Sequence, residues 1–134
     1  MDKIKILLAD DHDMVRMGLK TYLMLEPGFE VIGEAANGRE VLERMCAISA
    51  ESGELPDLIL MDVMMPEMNG LEAARCIRAF EGKDAGEGTP IIAMTANVFA
   101  DDVKSCLDAG MNSHVGKPLD MRLLISEIVK YTRR

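Results

Sequence analysis

Short apolar runs alternate with longer amphipathic stretches along the whole chain. The three central runs are about as long as ordinary β-strands. Leu58–Met61 is apolar without alternation, as expected for a strand that is covered on both faces. The stretches between the runs carry apolar residues three or four positions apart, such as Val15, Leu19 and Leu23, which is the spacing of one helix face. The runs are Ile4–Ala9, Phe29–Gly33, Leu58–Met61, Ile91–Met94 and Ser113–Val115.

This alternation amounts to five β-α units in succession. It predicts an α/β fold, a doubly wound parallel sheet with right-handed crossovers and helices on both faces. Asn37, Asn69 and Asp120 are placed to cap three of the helices. In open sheets of this type, ligands bind beyond the carboxyl ends of the strands, near the point where the strand order reverses. The residues that end the strands are therefore the first candidates for a functional site.

Composition narrows the class of protein. A chain of 134 residues suits one domain, which we expect to span residues 1–134. No apolar run approaches the roughly 20 residues of a membrane span, and no secretion signal precedes the first run. Cys46, Cys76 and Cys106 are too far apart for a disulfide framework or a metal pair, so we expect three buried thiols. These features predict a cytoplasmic protein.

The formal net charge of −8 bears on the partners. Nucleic-acid binding depends on Lys and Arg side chains that neutralise phosphates, and no such cluster stands out. We therefore expect no direct nucleic-acid binding and no membrane contact. An acidic chain instead attracts cations or a basic partner surface.

Polar side chains stand at four of the five strand ends: Asp10 and Asp11, then Asp62, Thr95 and Lys117. Because parallel strands end on one edge of the sheet, these groups should converge. Two carboxylates roughly 4 Å apart repel by about 1 kcal/mol in water and by about 4 kcal/mol near a protein surface. A divalent cation removes this repulsion, and oxygen ligands select Mg²⁺, with Mn²⁺ as a substitute.

A carboxylate at such a site can act as a nucleophile towards phosphorus and form an acyl phosphate. Asp62 is the best candidate because it ends the most buried central strand, whereas Asp10 and Asp11 are better placed as metal ligands. Phosphoryl transfer requires in-line placement and neutralisation of charge on the equatorial oxygens. The metal, the Lys117 ammonium and the Thr95 hydroxyl could meet that requirement.

Four segments resemble the signature regions of a response-regulator receiver domain of two-component signalling, and they come in the same order. They are Ile6–Asp11, Leu60–Gly70, Met94–Ala96 and Gly116–Leu119. Four motifs in register with a predicted β-α repeat are far more specific than any one of them. The resemblance covers residues 4–131 and implies a five-stranded, flavodoxin-like (βα)5 fold with strand order 2-1-3-4-5.

The resemblance also implies a role for each matched residue. Asp62 would be the phosphoacceptor, and Asp11 would bind Mg²⁺ directly. Asp10 would act largely through water, and the main-chain carbonyl of Met64 would complete the protein ligands. Met64 and Asn97 would flank the path of the water that hydrolyses the phosphorylated state, so they are predicted to set its lifetime.

The same resemblance implies a switch. Thr95 and Lys117 would contact phosphoryl oxygens, and a cis bond is expected at Lys117–Pro118. His114 stands where the family often has a Tyr or Phe whose rotamer follows phosphorylation. We therefore expect His114 to reorient together with Thr95. Val98, Phe99 and Val103 of the fourth helix could be core residues or an exposed docking patch, and the core is the default expectation.

The expected phosphodonor is a histidine kinase or a histidine phosphotransfer domain, and the signal would pass to a downstream protein or an output domain. Met94–Asp102 and Cys106–Met111 resemble receivers of hybrid histidine kinases, whereas Ala9–Arg16 resembles receivers of DNA-binding regulators. The parent architecture therefore stays open, and so does the choice between a stand-alone and an excised receiver. We expect a monomer or a phosphorylation-linked dimer that phosphorylates itself and slowly dephosphorylates but is not a turnover enzyme.

Other functions fit the sequence less well. A haloacid-dehalogenase phosphatase also uses a strand-end aspartate and Mg²⁺, but it needs a second carboxylate two residues later, where this chain has Met64. The complete set of five strand-end groups disfavours a receiver that is not phosphorylated. A nucleotide-binding domain would need a Gly-rich strand-to-helix turn, and the sequence contains no such turn. Asp10 and Asp11 could merely favour a helix N-terminus, and His12 is expected to be solvated.

Overall fold

The computed structural model of the chain describes residues 3–96 and 100–132, so Asn97, Val98 and Phe99 lie outside it and the expectations for them stay predictions. Strands and helices alternate through the described ranges. In chain order they are β1 (Ile4–Ala9), α1 (Asp13–Met24), β2 (Phe29–Ala35), α2 (Gly38–Ser52), β3 (Leu58–Asp62), α3 (Gly70–Glu81), β4 (Ile91–Thr95), α4 (Ala100–Asp108), β5 (Ser113–Gly116) and α5 (Met121–Thr132).

The strands form one parallel sheet in the order β2-β1-β3-β4-β5, which confirms the predicted fold class. The chain begins at β1, steps to β2 on one side, and then returns to β3 on the other side of β1. The strand order therefore reverses between β1 and β3. Asp10 follows β1 and Asp62 ends β3, so both aspartates flank this point.

The apolar side chains of the central strands alternate between two hydrophobic cores. Leu7 and Ala9 of β1 pack into the core formed with α2, α3 and α4, while Ile6 and Leu8 pack into the core formed with α1 and α5. All four side chains are fully buried. Burying one such aliphatic side chain stabilises the fold by about 2 kcal/mol. The two cores therefore fix the positions at which β1 and β3 end.

The predicted helix caps are present. The Asn37 side chain accepts a hydrogen bond from the Glu40 amide at 2.9 Å. Asn69 and Glu72 form a reciprocal capping box at the start of α3. The Asp120 side chain accepts amide hydrogen bonds from the first turn of α5. A cap of this kind typically contributes about 1 kcal/mol.

The prediction for the cysteines was partly wrong. Cys106 is buried, but Cys76 is only partly buried and Cys46 is exposed. Cys46 follows the buried Met45 directly and so points away from the core face of α2. Among the described helices, none is both long enough and apolar enough to cross a bilayer.

Arg78 of α3 joins the segments that precede β4 and β5, at the edge of the sheet opposite the strand ends discussed above. Its Nε atom donates to the Gly110 carbonyl at 2.9 Å, and its terminal nitrogens donate to the Thr89 carbonyl and the Asn112 side chain, also at 2.9 Å. Its ion pair with Glu81 measures 2.9 Å and is almost wholly buried. The turn between α4 and β5 is thereby tied to α3.

Gly70 begins α3 directly against the end of β3. Its amide donates a hydrogen bond to the Val63 carbonyl at 2.9 Å. A Cβ atom at this position would lie 2.5 Å from the Asp62 carbonyl oxygen. Glycine is therefore required here because two backbones approach closely.

We expect Gly70→Ala to lower the free energy of unfolding by about 2 kcal/mol, because the methyl group would push α3 away from β3. Gly18→Ala is the matched control. Gly18 lies within α1, and a Cβ there would meet no atom within 4 Å. That change should raise stability by about 0.5–1 kcal/mol. Urea unfolding of both variants checks the pair, and equal stability of Gly70→Ala and wild type would contradict the prediction.

Candidate functional site

Three carboxylates converge where the strand order reverses. The Asp10 side chain is fully buried, that of Asp62 is 4% exposed, and that of Asp11 is 26% exposed. One oxygen from each, together with a His12 ring nitrogen, lies in a group whose members are all within 4.8 Å of one another. The convergence predicted from the strand ends is therefore present in the structure.

Lys117 brings a positive charge to this group from the end of β5. Its Nζ atom donates a hydrogen bond to Asp62 Oδ2 at 3.0 Å and lies 3.6 Å from Asp10 Oδ2. Its amide donates to the Thr95 carbonyl at 2.8 Å, which fixes the ends of β4 and β5 together. The Lys117–Pro118 bond is cis, as predicted.

The environment shifts the pKa values of two site residues. Burial raises the pKa of Asp62, and the charge of Asp10 adds to this rise, while the hydrogen bond and charge of Lys117 act in the opposite direction. Burial by itself would lower the pKa of Lys117. The Asp62 and Asp10 carboxylates outweigh that effect, so the pKa of Lys117 lies above its usual value.

Backbone amides and Arg16 hold the aspartates in place. Asp10 Oδ1 accepts a hydrogen bond from the His12 amide at 2.8 Å, and Asp62 Oδ1 accepts one from the Met64 amide at 3.2 Å. Arg16 donates to the Asp10 carbonyl at 2.6 Å. It also pairs with Glu34 of β2 at 3.2 Å. The turn after β1 is thus anchored from both α1 and β2.

The donor set fits a divalent cation. Asp10 Oδ2 and Asp11 Oδ1 are buried, and neither accepts a hydrogen bond from any described residue. Buried oxygens without partners are unfavourable unless an ion or a water meets them. Three carboxylates against the one ammonium of Lys117 leave two negative charges uncompensated. Carboxylate oxygens are the ligands that Mg²⁺ prefers.

The predicted switch residues lie on one face of the sheet. Thr95 is buried at the end of β4. His114 of β5 is partly buried and is paired with Ala93, two residues before Thr95. Because strand side chains alternate between faces, Thr95 and His114 share the face on which Ala93 packs, which is the face of α2, α3 and α4. The Met64 side chain is 74% exposed, and the role of its carbonyl stays a prediction.

His12 is the member of the group that the sequence analysis left outside. Most of the ring is exposed, as expected, with 67% of the side chain accessible. Its Nδ1 atom nevertheless lies 3.1 Å from Asp11 Oδ1. Its position directly after Asp10 and Asp11 could have predicted this contact, since the first residue beyond the end of a strand stays at the same edge of the sheet.

In metal-free protein we expect Asp62→Asn to raise the free energy of unfolding by about 1 kcal/mol, because it removes a charge that burial disfavours and that Asp10 repels. Since the folded pKa of Asp62 lies above its ordinary value of 3.8, wild type loses stability as the pH rises from that value through the raised pKa. The stability gained by Asp62→Asn should therefore be absent below pH 3.8 and complete above the raised pKa of Asp62. Urea unfolding over a pH series measures it.

The control is Asp13→Asn, because Asp13 is exposed at the start of α1. It should change stability by less than about 0.5 kcal/mol. Adding Mg²⁺ should stabilise wild type by mass action and shrink the advantage of Asp62→Asn. A loss of stability in Asp62→Asn above the raised pKa of Asp62, without metal, would contradict the electrostatic account.

Comparisons with known proteins agree with this geometry. The family model for the response regulator receiver domain matches residues 6–129. The response regulator protein VraR of Staphylococcus aureus is 36% identical over 131 residues, which cover 97% of this chain and 57% of VraR. The chain thus spans little more than half the length of this curated relative.

Solved receiver structures have the same fold. The receiver domain of NarL from Mycobacterium tuberculosis superposes with a TM-score of 0.84 at 25% identity, and both chains are covered completely. The response regulator domain of CheB from Thermotoga maritima gives a TM-score of 0.81 at 25% identity over 98% of each chain. With the acidic group at the sheet edge and the family match over nearly its whole length, this chain belongs to the response regulator receiver domains, the phosphoacceptor switches of two-component systems.

Proposed function

We propose that Asp62 is the phosphoacceptor and that it takes a phosphoryl group from a phosphohistidine on a histidine kinase or a histidine phosphotransfer domain. One observation carries the proposal. Asp62 lies 3.0 Å from the ammonium of Lys117 and in one group with Asp10 and Asp11, each of which has a buried oxygen that accepts no hydrogen bond from a described residue. A nucleophile, a cationic phosphate contact and the ligands for a divalent ion are therefore side by side.

In the proposed step, a carboxylate oxygen of Asp62 attacks phosphorus in line with the bond to the donor nitrogen. The new bond joins oxygen to phosphorus, and the phosphorus–nitrogen bond breaks, leaving its electron pair on the donor imidazole. The Lys117 ammonium neutralises one phosphoryl oxygen, and the Thr95 hydroxyl donates to another. Transfer thus depends mainly on positioning and on charge neutralisation.

A divalent ion completes the site. Mg²⁺, or Mn²⁺ in its place, would be held by Asp10, Asp11, Asp62 and the main-chain carbonyl of Met64, and would supply Lewis-acid neutralisation of phosphoryl charge. Support comes from the two buried oxygens that accept no hydrogen bond from a described residue and from the excess negative charge of the group. The residues of the chain orient Asp62, through the Lys117 ammonium at 3.0 Å and the Met64 amide at 3.2 Å.

Thr95 and His114 are proposed to carry the signal away from the site. A phosphoryl group on Asp62 would attract the Thr95 hydroxyl towards the strand end. His114 shares its face of the sheet and could move into the space that Thr95 leaves. The equilibrium between two conformations of the surface around α4 and β5 would shift accordingly. This shift would change which partners the surface binds.

The domain acts as a switch more than as an enzyme with turnover. The second residue after Asp62 is Met64, whose side chain has no proton to exchange, so no acid–base group stands where a phosphatase of the strand-end aspartate type needs one. Hydrolysis of the acyl phosphate is then slow, and its rate sets the lifetime of the phosphorylated state. Steady phosphate release from small phosphate esters would contradict this part of the proposal.

Incubation with acetyl phosphate and Mg²⁺ should add one phosphoryl group to wild type, seen as a gain in intact mass, and none to Asp62→Asn. Asp13→Asn is the matched control and should react as wild type does. Lys117→Ala should react roughly a hundredfold more slowly, since one charge-neutralising group is lost. Hydroxylamine should remove the adduct, as it does from acyl phosphates.

The outcomes separate the parts of the proposal. Absence of a metal-dependent adduct on wild type would overturn the phosphoacceptor function. An adduct that persists in Asp62→Asn would move the site to another residue. An adduct that resists hydroxylamine would exclude the aspartyl phosphate.

A further inference from the structure

His12 lies at the outer edge of the acidic group, with most of its side chain exposed. It is the N-cap residue of α1, yet its side chain makes no capping hydrogen bond. Its backbone amide, not its ring, donates to Asp10 Oδ1. The ring nitrogen Nδ1 instead lies 3.1 Å from Asp11 Oδ1 and 3.4 Å from Asp10 Oδ1.

These spacings match those of neighbouring ligands on one metal ion. In an octahedral site with bonds of about 2.1 Å, adjacent ligand atoms are about 3.0 Å apart and opposite ones about 4.2 Å. The spacings of His12 Nδ1 from Asp11 and Asp10 are close to the first value. The whole group of four, including Asp62, lies within 4.8 Å. His12 Nδ1 and the Asp10 and Asp11 oxygens therefore have the spacing of neighbouring ligands on one ion, and Asp62 belongs to the same group.

A simple hydrogen bond from the ring does not explain the arrangement. Asp11 Oδ1 is buried and accepts no hydrogen bond from any residue in the described ranges, although His12 Nδ1 lies only 3.1 Å away. Asp10 is completely buried, and its Oδ2 atom also accepts no hydrogen bond from a described residue, although it lies 3.6 Å from Lys117 Nζ. A divalent ion bound by Asp10 and Asp11 would provide a partner for both of these buried oxygens.

We propose that His12 Nδ1 is a direct ligand of the divalent ion at this site and makes its donor set mixed nitrogen and oxygen. The inference rests on the metal site of the proposed function and adds which divalent metals that site selects. Mg²⁺ gains little from a nitrogen donor, whereas imidazole suits transition metals, whose affinities rise from Mn²⁺ through Co²⁺ to Ni²⁺. The site therefore prefers Mn²⁺ and the later metals to Mg²⁺, and His12 sets the preference.

The test compares metal affinities of the full chain in one weakly alkaline, chelator-free buffer. Electron paramagnetic resonance of free Mn²⁺ gives the dissociation constant for Mn²⁺, and competition gives those for Mg²⁺ and Ni²⁺. His12→Ala should weaken Mn²⁺ and Ni²⁺ binding by roughly tenfold or more and should leave Mg²⁺ binding nearly unchanged. The ratio of Mn²⁺ to Mg²⁺ affinity should fall accordingly.

Asp13→Asn is the control for plain electrostatics, because it removes a charge from the same end of α1 without removing a ring nitrogen. It should weaken Mg²⁺ and Mn²⁺ binding equally and leave their ratio as in wild type. An equal loss for both metals in His12→Ala would mean that His12 acts only through charge or folding, and would overturn the inference.

A spectroscopic readout on wild type does not depend on any variant. Electron spin echo envelope modulation of bound Mn²⁺ should show a directly coordinated nitrogen, and the signal should vanish in His12→Ala. Bound Mn²⁺ without that signal would overturn His12 as a ligand and leave the phosphoacceptor proposal intact. Failure of Mg²⁺ and Mn²⁺ to bind at all would overturn both the inference and the metal site of the proposed function.

Discussion

The concentration of like charge at the carboxyl edge of the sheet is the constraint on which the rest of the structure depends. Asp10 is wholly buried and Asp62 nearly so, and two adjacent carboxylates near a protein surface repel by about 4 kcal/mol at 4 Å. The two hydrophobic cores supply the stabilisation that keeps β1 and β3 side by side in spite of this repulsion. Lys117 reduces it but leaves the site in need of further positive charge. The receiver fold thus holds together a concentration of negative charge that a divalent metal ion can relieve.

Much of this could be predicted from the sequence because it follows from periodicity and from parallel topology. Apolar runs without alternation mark strands covered on both faces, and parallel strands end on one edge. That reasoning alone brings Asp10, Asp62, Thr95 and Lys117 to the same place. The caps of α2, α3 and α5 are equally predictable, because a capping side chain bonds to amides only two or three residues away.

The features that the sequence did not reveal depend on contacts between distant segments or on the orientation of one side chain. The exposure of Cys46 follows from the rotation of α2 on the sheet, which a single apolar stripe defines only loosely. The contact of His12 with Asp11 depends on a turn of the backbone after β1, which Arg16 and Glu34 fix from elsewhere. Arg78 meets partners more than thirty residues later in the chain, and no local pattern points to them.

Arg78 has a mechanical consequence for any conformational change that starts at Thr95. By binding the Gly110 carbonyl and the Asn112 side chain, it anchors the turn that follows α4, at the sheet edge remote from the acidic group. The C-terminal end of α4 is thereby tied to α3. If the proposed displacement starts at the end of β4, it would tilt the helix about this anchored turn more readily than it would slide the helix as a whole. The α4 surface would move most near Thr95 and least near Gly110, so a partner that distinguishes the two states gains most by binding at the moving end.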